Sequence, residues 1–378
     1  MDVLQLPQGG LRLVRPGAAE GLRAWDAADE QLIEHARNLA FEGCRLAVID
    51  DSFGALSLAL ADFRPQPCAD SAMLNSGLEI NGPLNGLPVM KAQSWLSPPE
   101  GPFDLILLRI PRQADYLSWL LRWANSALAP GGRILAGGMI KHIPDRSAAV
   151  FGELVGTESV FPARKKARVI QCKGGEETLA GWSGQWLGYH LPDSGLRLEG
   201  LPAVFARDRL DIGARLLLPQ VARLASEQTE GARLLDLACG NGVLGLSALH
   251  AHPGLDVAFS DVSSQAVVSV RHNAALNFPG REVSVDHCDG VPAGDSGFDL
   301  ILLNPPFHEA GVVGDHIAMR LFQQASQSLR PGGRVLVVGN RHLGYHRTLR
   351  RWFGQVAQLD ADPRFVVFEA GAQGAGRS

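Results

Sequence analysis

The sequence predicts an α/β chain made of two tandem, doubly wound units, the first of them degenerate. Three observations predict it. First, blocks of sequence recur in one order. Arg45-Leu46-Ala47-Val48-Ile49-Asp50, followed by Asp51-Ser52-Phe53-Gly54, matches Arg233-Leu234-Leu235-Asp236-Leu237-Ala238, followed by Cys239-Gly240-Asn241-Gly242. Phe103-Asp104-Leu105-Ile106-Leu107-Leu108 matches Phe298-Asp299-Leu300-Ile301-Leu302-Leu303, and Ala129-Pro130-Gly131-Gly132-Arg133 matches Arg330-Pro331-Gly332-Gly333-Arg334. Matched blocks in the same order read as a duplication. Second, each apolar run is short and leads through a turn into a helical pattern, as parallel strands with crossover helices do. Third, 378 residues suffice for two ordinary domains with full cores. The boundary is expected near residue 190, in the polar, Gly- and Trp-rich stretch 181–194, giving domains 1–190 and 191–378.

In the second half the strands are expected at 234–238, 255–260, 283–287, 298–303 and 335–338. Helices are expected at 243–250, 262–276, with Ser263 or Ser264 at its cap, and 317–329, the last stopped by Pro331-Gly332-Gly333. A late antiparallel strand is expected at 365–368, paired with 355–359.

Composition narrows the function classes. Hydrophobic residues make up 46% and charged residues 20%, and the net charge of -4 gives no global basic signal for nucleic acid. Any RNA contact must then come from a local patch. The five cysteines are dispersed with no CxxC pair, which points to reduced thiols and a cytoplasmic setting. No apolar stretch approaches membrane-spanning length, and no secretory signal is apparent.

Asn304-Pro305-Pro306-Phe307 carries the chemistry. It follows a buried strand, at the sheet edge where doubly wound folds bind ligands. Its prolines stiffen the backbone and remove two N–H donors. An amide, a rigid carbonyl and an aromatic face together can grip a planar ring bearing an exocyclic amine. Gly240-Asn241-Gly242-Val243-Leu244-Gly245 is a G-x-G-x-x-G between a strand and a helix, and Asp261 ends the next strand. Alone, this fits a dinucleotide as readily as S-adenosyl-L-methionine. Asp236 decides toward the latter, because a carboxylate there suits a cationic ammonium and repels a pyrophosphate. Asp289 is placed to accept from an adenine amino group, and Cys239 is a small filler under the loop, without a histidine partner.

Asp236-Leu237-Ala238-Cys239-Gly240-Asn241-Gly242 together with Asn304-Pro305-Pro306-Phe307 resembles class I (Rossmann-like) methyltransferases acting on exocyclic or amide nitrogens. The segment 205–218 is similar to the one preceding the first strand in ribosomal RNA guanine-N2 methyltransferases, and Leu22 to Glu30 is similar to their large-subunit branch. Ala238 departs from the usual glycine, and alanine is expected to fit. The resemblance implies methyl transfer from S-adenosyl-L-methionine to guanine N2 in 23S ribosomal RNA by a monomer, with no metal. It implies Asn304, Pro305, Pro306 and Phe307 as catalytic residues. It implies a cofactor site of Phe205, Gly213, Asp236, Cys239, Gly240, Asn241, Gly242, Asp261, Asp289 and Asn304. Three alternatives stay open: a 16S enzyme of the same architecture, a protein glutamine methyltransferase, and an NAD-dependent oxidoreductase.

Two basic runs are candidates for phosphate contact: Arg164, Lys165, Lys166 and Arg168 in the first half, and Arg341 with Arg347, Arg350 and Arg351 in the second. Arg109 stands in the first copy where Asn304 stands in the second, so one active site is expected.

Overall fold

The computed structural model describes residues 2–7, 9–17, 21–306 and 316–371, and Phe307 lies outside them. The chain divides into two compact units, Met1–Gln185 and Trp186–Ser378. The division falls a few residues before the position expected from composition, because Trp186 stacks on His272 of the second unit with ring centroids 4.4 Å apart.

The first unit runs β1 (Asp2–Leu6), β2 (Gly9–Leu13), α1 (Ala27–Leu39), β3 (Leu46–Ile49), α2 (Ala55–Ala59), β4 (Gln66–Cys68), α3 (Met73–Leu84), β5 (Phe103–Arg109), α4 (Ala114–Ala127), β6 (Leu128–Met139), α5 (Ser147–Leu154), β7 (Gly156–Val160) and β8 (Ala167–Lys173). The second runs β9 (Leu187–His190), β10 (Arg197–Gly200), α6 (Ile212–Ser226), β11 (Arg233–Leu237), α7 (Val243–Ala251), β12 (Asp256–Asp261), α8 (Ser264–Asn277), β13 (Ser284–His287), β14 (Phe298–Leu303), α9 (His316–Ser328), β15 (Leu329–Asn340), α10 (Tyr345–Leu349), β16 (Gln355–Ala361) and β17 (Phe365–Gly371).

The second unit's sheet has the order β13-β12-β11-β14-β15-β17-β16, and the first unit's β4-β3-β5-β6-β8-β7. The orders superpose strand for strand, except that the first unit keeps only a bridge, Cys68 to Gln93, where β13 would lie. Even the irregularity repeats. Phe103 pairs with Leu128 and then Leu105 with Arg133, while Phe298 pairs with Leu329 and then Leu300 with Arg334. The Pro-Gly-Gly turn is a bulge at the start of a longer strand, not a gap before a shorter one. A Cβ on Gly132 would stand 2.9 Å from the Phe103 carbonyl oxygen, and one on Gly333 2.7 Å from that of Phe298. Glycine is needed there because the bulge presses on the neighbouring strand's start.

Side-chain alternation sorts the second unit's core into two layers. Leu234, Leu300, Leu302, Leu336 and Val338 pack with α6, α7 and α8, while Leu235, Ile301, Leu303, Val335 and Val337 pack with α9 and α10. Asp236 pairs in register with Leu302, and Asn304 lies two residues further along β14's line. Both therefore belong to the α6 and α7 side of the sheet.

A hairpin opens each unit, β1-β2 and β9-β10, and the sequence analysis anticipates neither. In the second unit α8 holds the chain after β9 with a row of polar side chains, the first three of them buried. Gln265 accepts from Ala203 N–H (2.8 Å), Ser269 from Leu201 (3.1 Å), Asn273 from Glu199 (2.9 Å) and Asn277 from Arg197 (2.9 Å). Four helical residues rise about 6 Å and two extended residues about 6.6 Å, so the two repeats stay in step. In the first unit Asn81 and Asn85 hold Val14 and Arg12 in the same way, both at 2.8 Å.

Candidate active site

The site gathers at the carboxyl ends of β11, β12 and β14, around the point where strand order reverses. The loop after β11 is shaped by left-handed backbone. Ala238, Gly240 and Gly242 have φ of 58°, 57° and 82°. The glycines adopt this freely, whereas Ala238 does so against a Cβ clash, so alanine is tolerated here under strain and does not simply fit. Gly245 serves packing: a Cβ there would lie 2.4 Å from the Phe259 ring.

Asp236 is buried at the end of β11 and accepts from Gly245 N–H at 2.8 Å, tying the strand to the first turn of α7. Its other oxygen, Oδ1, is buried with no hydrogen-bond partner. Burial pushes its carboxyl up to about 8, against the pull of the Gly245 bond, and the charge of Asp261 adds to the rise. An unpartnered carboxyl oxygen is thus left under the glycine loop.

Asp261 accepts from Gly240 N–H and Ser263 N–H, both at 2.8 Å, and so straps the glycine loop to the start of α8. The helix cap itself is Ser263, which accepts from Ala266 N–H at 3.1 Å. Asn241 is buried, donates to the Tyr189 hydroxyl (3.2 Å), and has its carbonyl held by Asn273 Nδ2 (2.9 Å). Burial pushes the Cys239 thiol well above its usual range, leaving it an inert small residue beneath the loop.

Asp289 does not stand open toward an adenine. Arg320 of α9 grips both of its carboxylate oxygens, one of them at 2.7 Å. The corresponding position of the first unit explains the choice of residue: Trp119 precedes Leu128 as Arg320 precedes Leu329, and it packs on Trp95 at 4.5 Å. That end of the first sheet is filled by aromatic rings, with Trp95 Nε1 donating to the Tyr116 hydroxyl at 2.7 Å.

Asn304 has a fixed orientation. Its Nδ2 donates to Asp211 Oδ2 at 3.2 Å, and Asp211 in turn caps α6 by accepting from Ala214 N–H at 3.0 Å. A carboxylate can only accept, so the amide's NH2 must face Asp211 and its oxygen must face away. That oxygen is buried and unpartnered. Gly213 leaves room for this contact, since a Cβ there would lie 3.0 Å from Asp211 Oδ2. Pro305 is buried and Pro306 exposed. Phe205 is 65% exposed and takes no part in the core.

In the first unit Arg109 occupies the place of Asn304 and makes two bonds to Asp26, at 2.9 and 2.8 Å. Asp26 caps α1 as Asp211 caps α6, and Asp29 adds a contact at 3.2 Å. The position that holds an open acceptor in one unit thus holds a closed ion pair in the other.

The basic runs divide. Arg164 and Lys165 are paired with Glu34 and Glu30, the latter at 2.6 Å, which lowers the free charge of that patch. Arg341 is exposed and donates to the Asp362 carbonyl at 2.6 Å. Tyr189, Asn273 and Arg320 join the site from positions that no sequence motif marks, and Asp211 lies in the segment 205–218, which does not single it out. Only the four-residue spacing of Gln265, Ser269, Asn273 and Asn277 offers a signal, and such spacing usually marks a solvated helix face.

Known proteins resemble this chain along its whole length. A family model for the methyltransferase small domain matches residues 195–369, and one for the RLMG N-terminal domain matches residues 1–176. Ribosomal RNA large subunit methyltransferase G of Pseudomonas entomophila (strain L48) is 38% identical over 381 residues, covering 98% of this chain and 100% of that one. Its counterpart from Stutzerimonas stutzeri (strain A1501) is 36% identical over 378 residues, covering 98% and 99%. Among solved structures, a T. thermophilus 16S rRNA N2 methyltransferase in complex with AdoMet and guanosine superposes with a TM-score of 0.77 over 98% of both chains, at 24% identity, a likeness of fold. The chain belongs to the ribosomal RNA large subunit methyltransferase G family.

Proposed function

We propose that the chain methylates the exocyclic N2 of a guanine in 23S ribosomal RNA, with S-adenosyl-L-methionine as donor, and that the second unit alone carries out the chemistry. The observation that carries this reading is the buried, unpartnered Asn304 oxygen, turned away from Asp211 and free to accept from an amine. The donor supplies an already activated methyl group, so the protein's task is alignment. Asn304 Oδ1 and the Pro305 carbonyl would accept from N2–H, hold the amine in line and favour the positive charge that develops on it. Phe307 would stack on the extruded base, a contact on the order of 1–3 kcal/mol. Asp236 would face the donor's ammonium. Asp261 would hold the glycine loop in shape.

Asp289 would serve an adenine through whichever lone pairs Arg320 leaves. The base must leave its helix to enter such a pocket, which favours deproteinised or partly assembled RNA as substrate. The family's large-subunit name favours 23S over 16S RNA. The dispersed, unpaired cysteines favour the cytoplasm as the place of action.

Transfer of tritiated methyl groups to deproteinised 23S and 16S RNA and to intact subunits, followed by nucleoside mapping, tests the reading. Label in N2-methylguanosine from 23S RNA is expected. Label in 16S RNA alone, or in a protein glutamine, would replace it with one of the alternatives. The Asn304→Ala variant should lose on the order of 10²-fold or more in kcat, the scale for removing one polar contact to a developing charge.

A further inference from the structure

A groove of about 430 Å³ opens on the α10 side of the second unit's sheet, beside the carboxyl end of β15. Val366 and Phe368 form its floor, and Arg341, His346, Arg350 and Gln358 its rim. Among the described residues no carboxylate lines it. Asp362, beside Arg341 and within reach of its charge, accepts from Arg364 and Phe365 N–H at 2.6 Å. Arg341, His346 and Arg350 are exposed.

Location gives the groove its meaning. Leu303 pairs with Val337 on the adjacent strand, so Asn340 lies three residues further along and one strand across. Standard strand spacings place it about 11 Å from the end of β14, where Asn304 begins the proposed base grip. Asn304 faces the α6 and α7 side and the groove the α10 side, so RNA whose base entered that grip would cross the carboxyl edge of the sheet to set its next residue on this rim. The lining also has a particular chemistry. Cations and an amide surround an apolar floor, and the His346 ring lies 6.5 Å from the Phe368 ring. A phosphate alone has no use for an apolar floor, and a protein helix would need a longer apolar trough than these two side chains provide. A single unstacked nucleotide has both an apolar face and an adjoining anion.

We propose that this groove seats one nucleotide flanking the target, its base over Val366 and Phe368 and its phosphate between Arg341 and Arg350. The proposal rests on the RNA-methylation reading above. It assigns the main phosphate contact to the second unit and not to the run at Arg164, whose cations are already partly paired.

The test uses the full chain and a labelled 23S RNA fragment. The Arg341→Glu/Arg350→Glu double variant should keep the donor affinity and kcat of the wild type and raise KM for RNA roughly ten-fold or more. The slope of log affinity against log salt should fall by about 0.7, the share of one phosphate neutralised on single-stranded RNA. The Gln358→Trp variant fills the groove without changing charge. It should raise KM and leave the salt slope alone. An active double variant with unchanged KM and slope overturns the proposal, and a Gln358→Trp variant with unchanged KM overturns the base seat. If the wild type transfers no methyl group to any ribosomal RNA, it is the functional reading that fails, and the salt slopes still judge the groove.

Discussion

Ala238 shows how a single residue can keep a loop shape at a cost. Its φ of 58° belongs to the left-handed region, where an L side chain costs roughly 1–2 kcal/mol. Asp50 has the same φ in the first unit, and a short polar side chain tolerates it better. Ala238→Gly removes the clash but loosens the unfolded chain by about 0.4–1 kcal/mol, so a net gain of about 0.5–1 kcal/mol is expected. A thermal melt should rise by a few degrees. A fall in melting temperature would mean that the loop is not strained. Asp236 offers a second test at this scale. Burial holds its carboxyl up at about 8, so at pH 7 it is mostly protonated. A bound ammonium favours the carboxylate and should expel that proton. Calorimetric titration with the donor at pH 7 in buffers of different ionisation heat should show proton release, absent in Asp236→Asn. Equal heats in all buffers would remove Asp236 from the ammonium's surroundings.

At the scale of elements, α8 does two jobs. Its polar row fixes the chain that leads from the hairpin toward Asp211, and Asn273 reaches across to the Asn241 carbonyl in the glycine loop. The first unit repeats the device, with Asn81 bonded to Val14 and to the Phe53 carbonyl at 3.0 Å, although Arg109 there is closed onto Asp26. The row is therefore a property of the duplicated frame, and only one copy borders a site. Asn273→Ala strips partners from buried backbone groups, at about 1–3 kcal/mol for each left unsatisfied. It should weaken donor binding as well as stability. Asn81→Ala should destabilise the chain by a similar amount and leave donor affinity at its wild-type value. Calorimetry on both variants decides this, and equal losses of donor affinity would refute the local connection. These links explain what the sequence could and could not reveal. The strand before Asn304 is legible because an apolar run and two prolines are local signals. The asparagine row joins residues 74 and 80 positions apart, and the Arg320 grip on Asp289 depends on the phase of a helix. No local pattern carries either.

For the molecule as a whole, duplication followed by loss has left two units with one frame and opposite interiors. The second keeps unpaired acceptors at Asp236 and Asn304, while the first closes the same region with ion pairs and rings. Loss of the site did not empty the first unit of charge. Asp29 is buried and Asp50 half-buried, and desolvation raises each carboxyl to about 7, with Arg109 opposing the rise at Asp29 and the Asp70 N–H opposing it at Asp50. An unfolded aspartate titrates near about 3.9, so between about pH 4 and 7 the folded chain holds more protons than the unfolded one. The stability these groups contribute is therefore fully present below about pH 4 and is lost as pH rises through about 7. Five of the seven tryptophans lie in the first unit, so their fluorescence reports its unfolding. The urea midpoint seen by tryptophan emission should fall between about pH 5 and pH 7 and level off above that. Asp50→Asn keeps an acceptor for the Asp70 N–H, suits the left-handed backbone and cannot ionise. It should raise the midpoint at about pH 8 and flatten its dependence on pH. A midpoint that rises with pH in the wild type, or an Asp50→Asn variant with the wild-type slope, would show that these carboxyls are ionised in the folded unit after all.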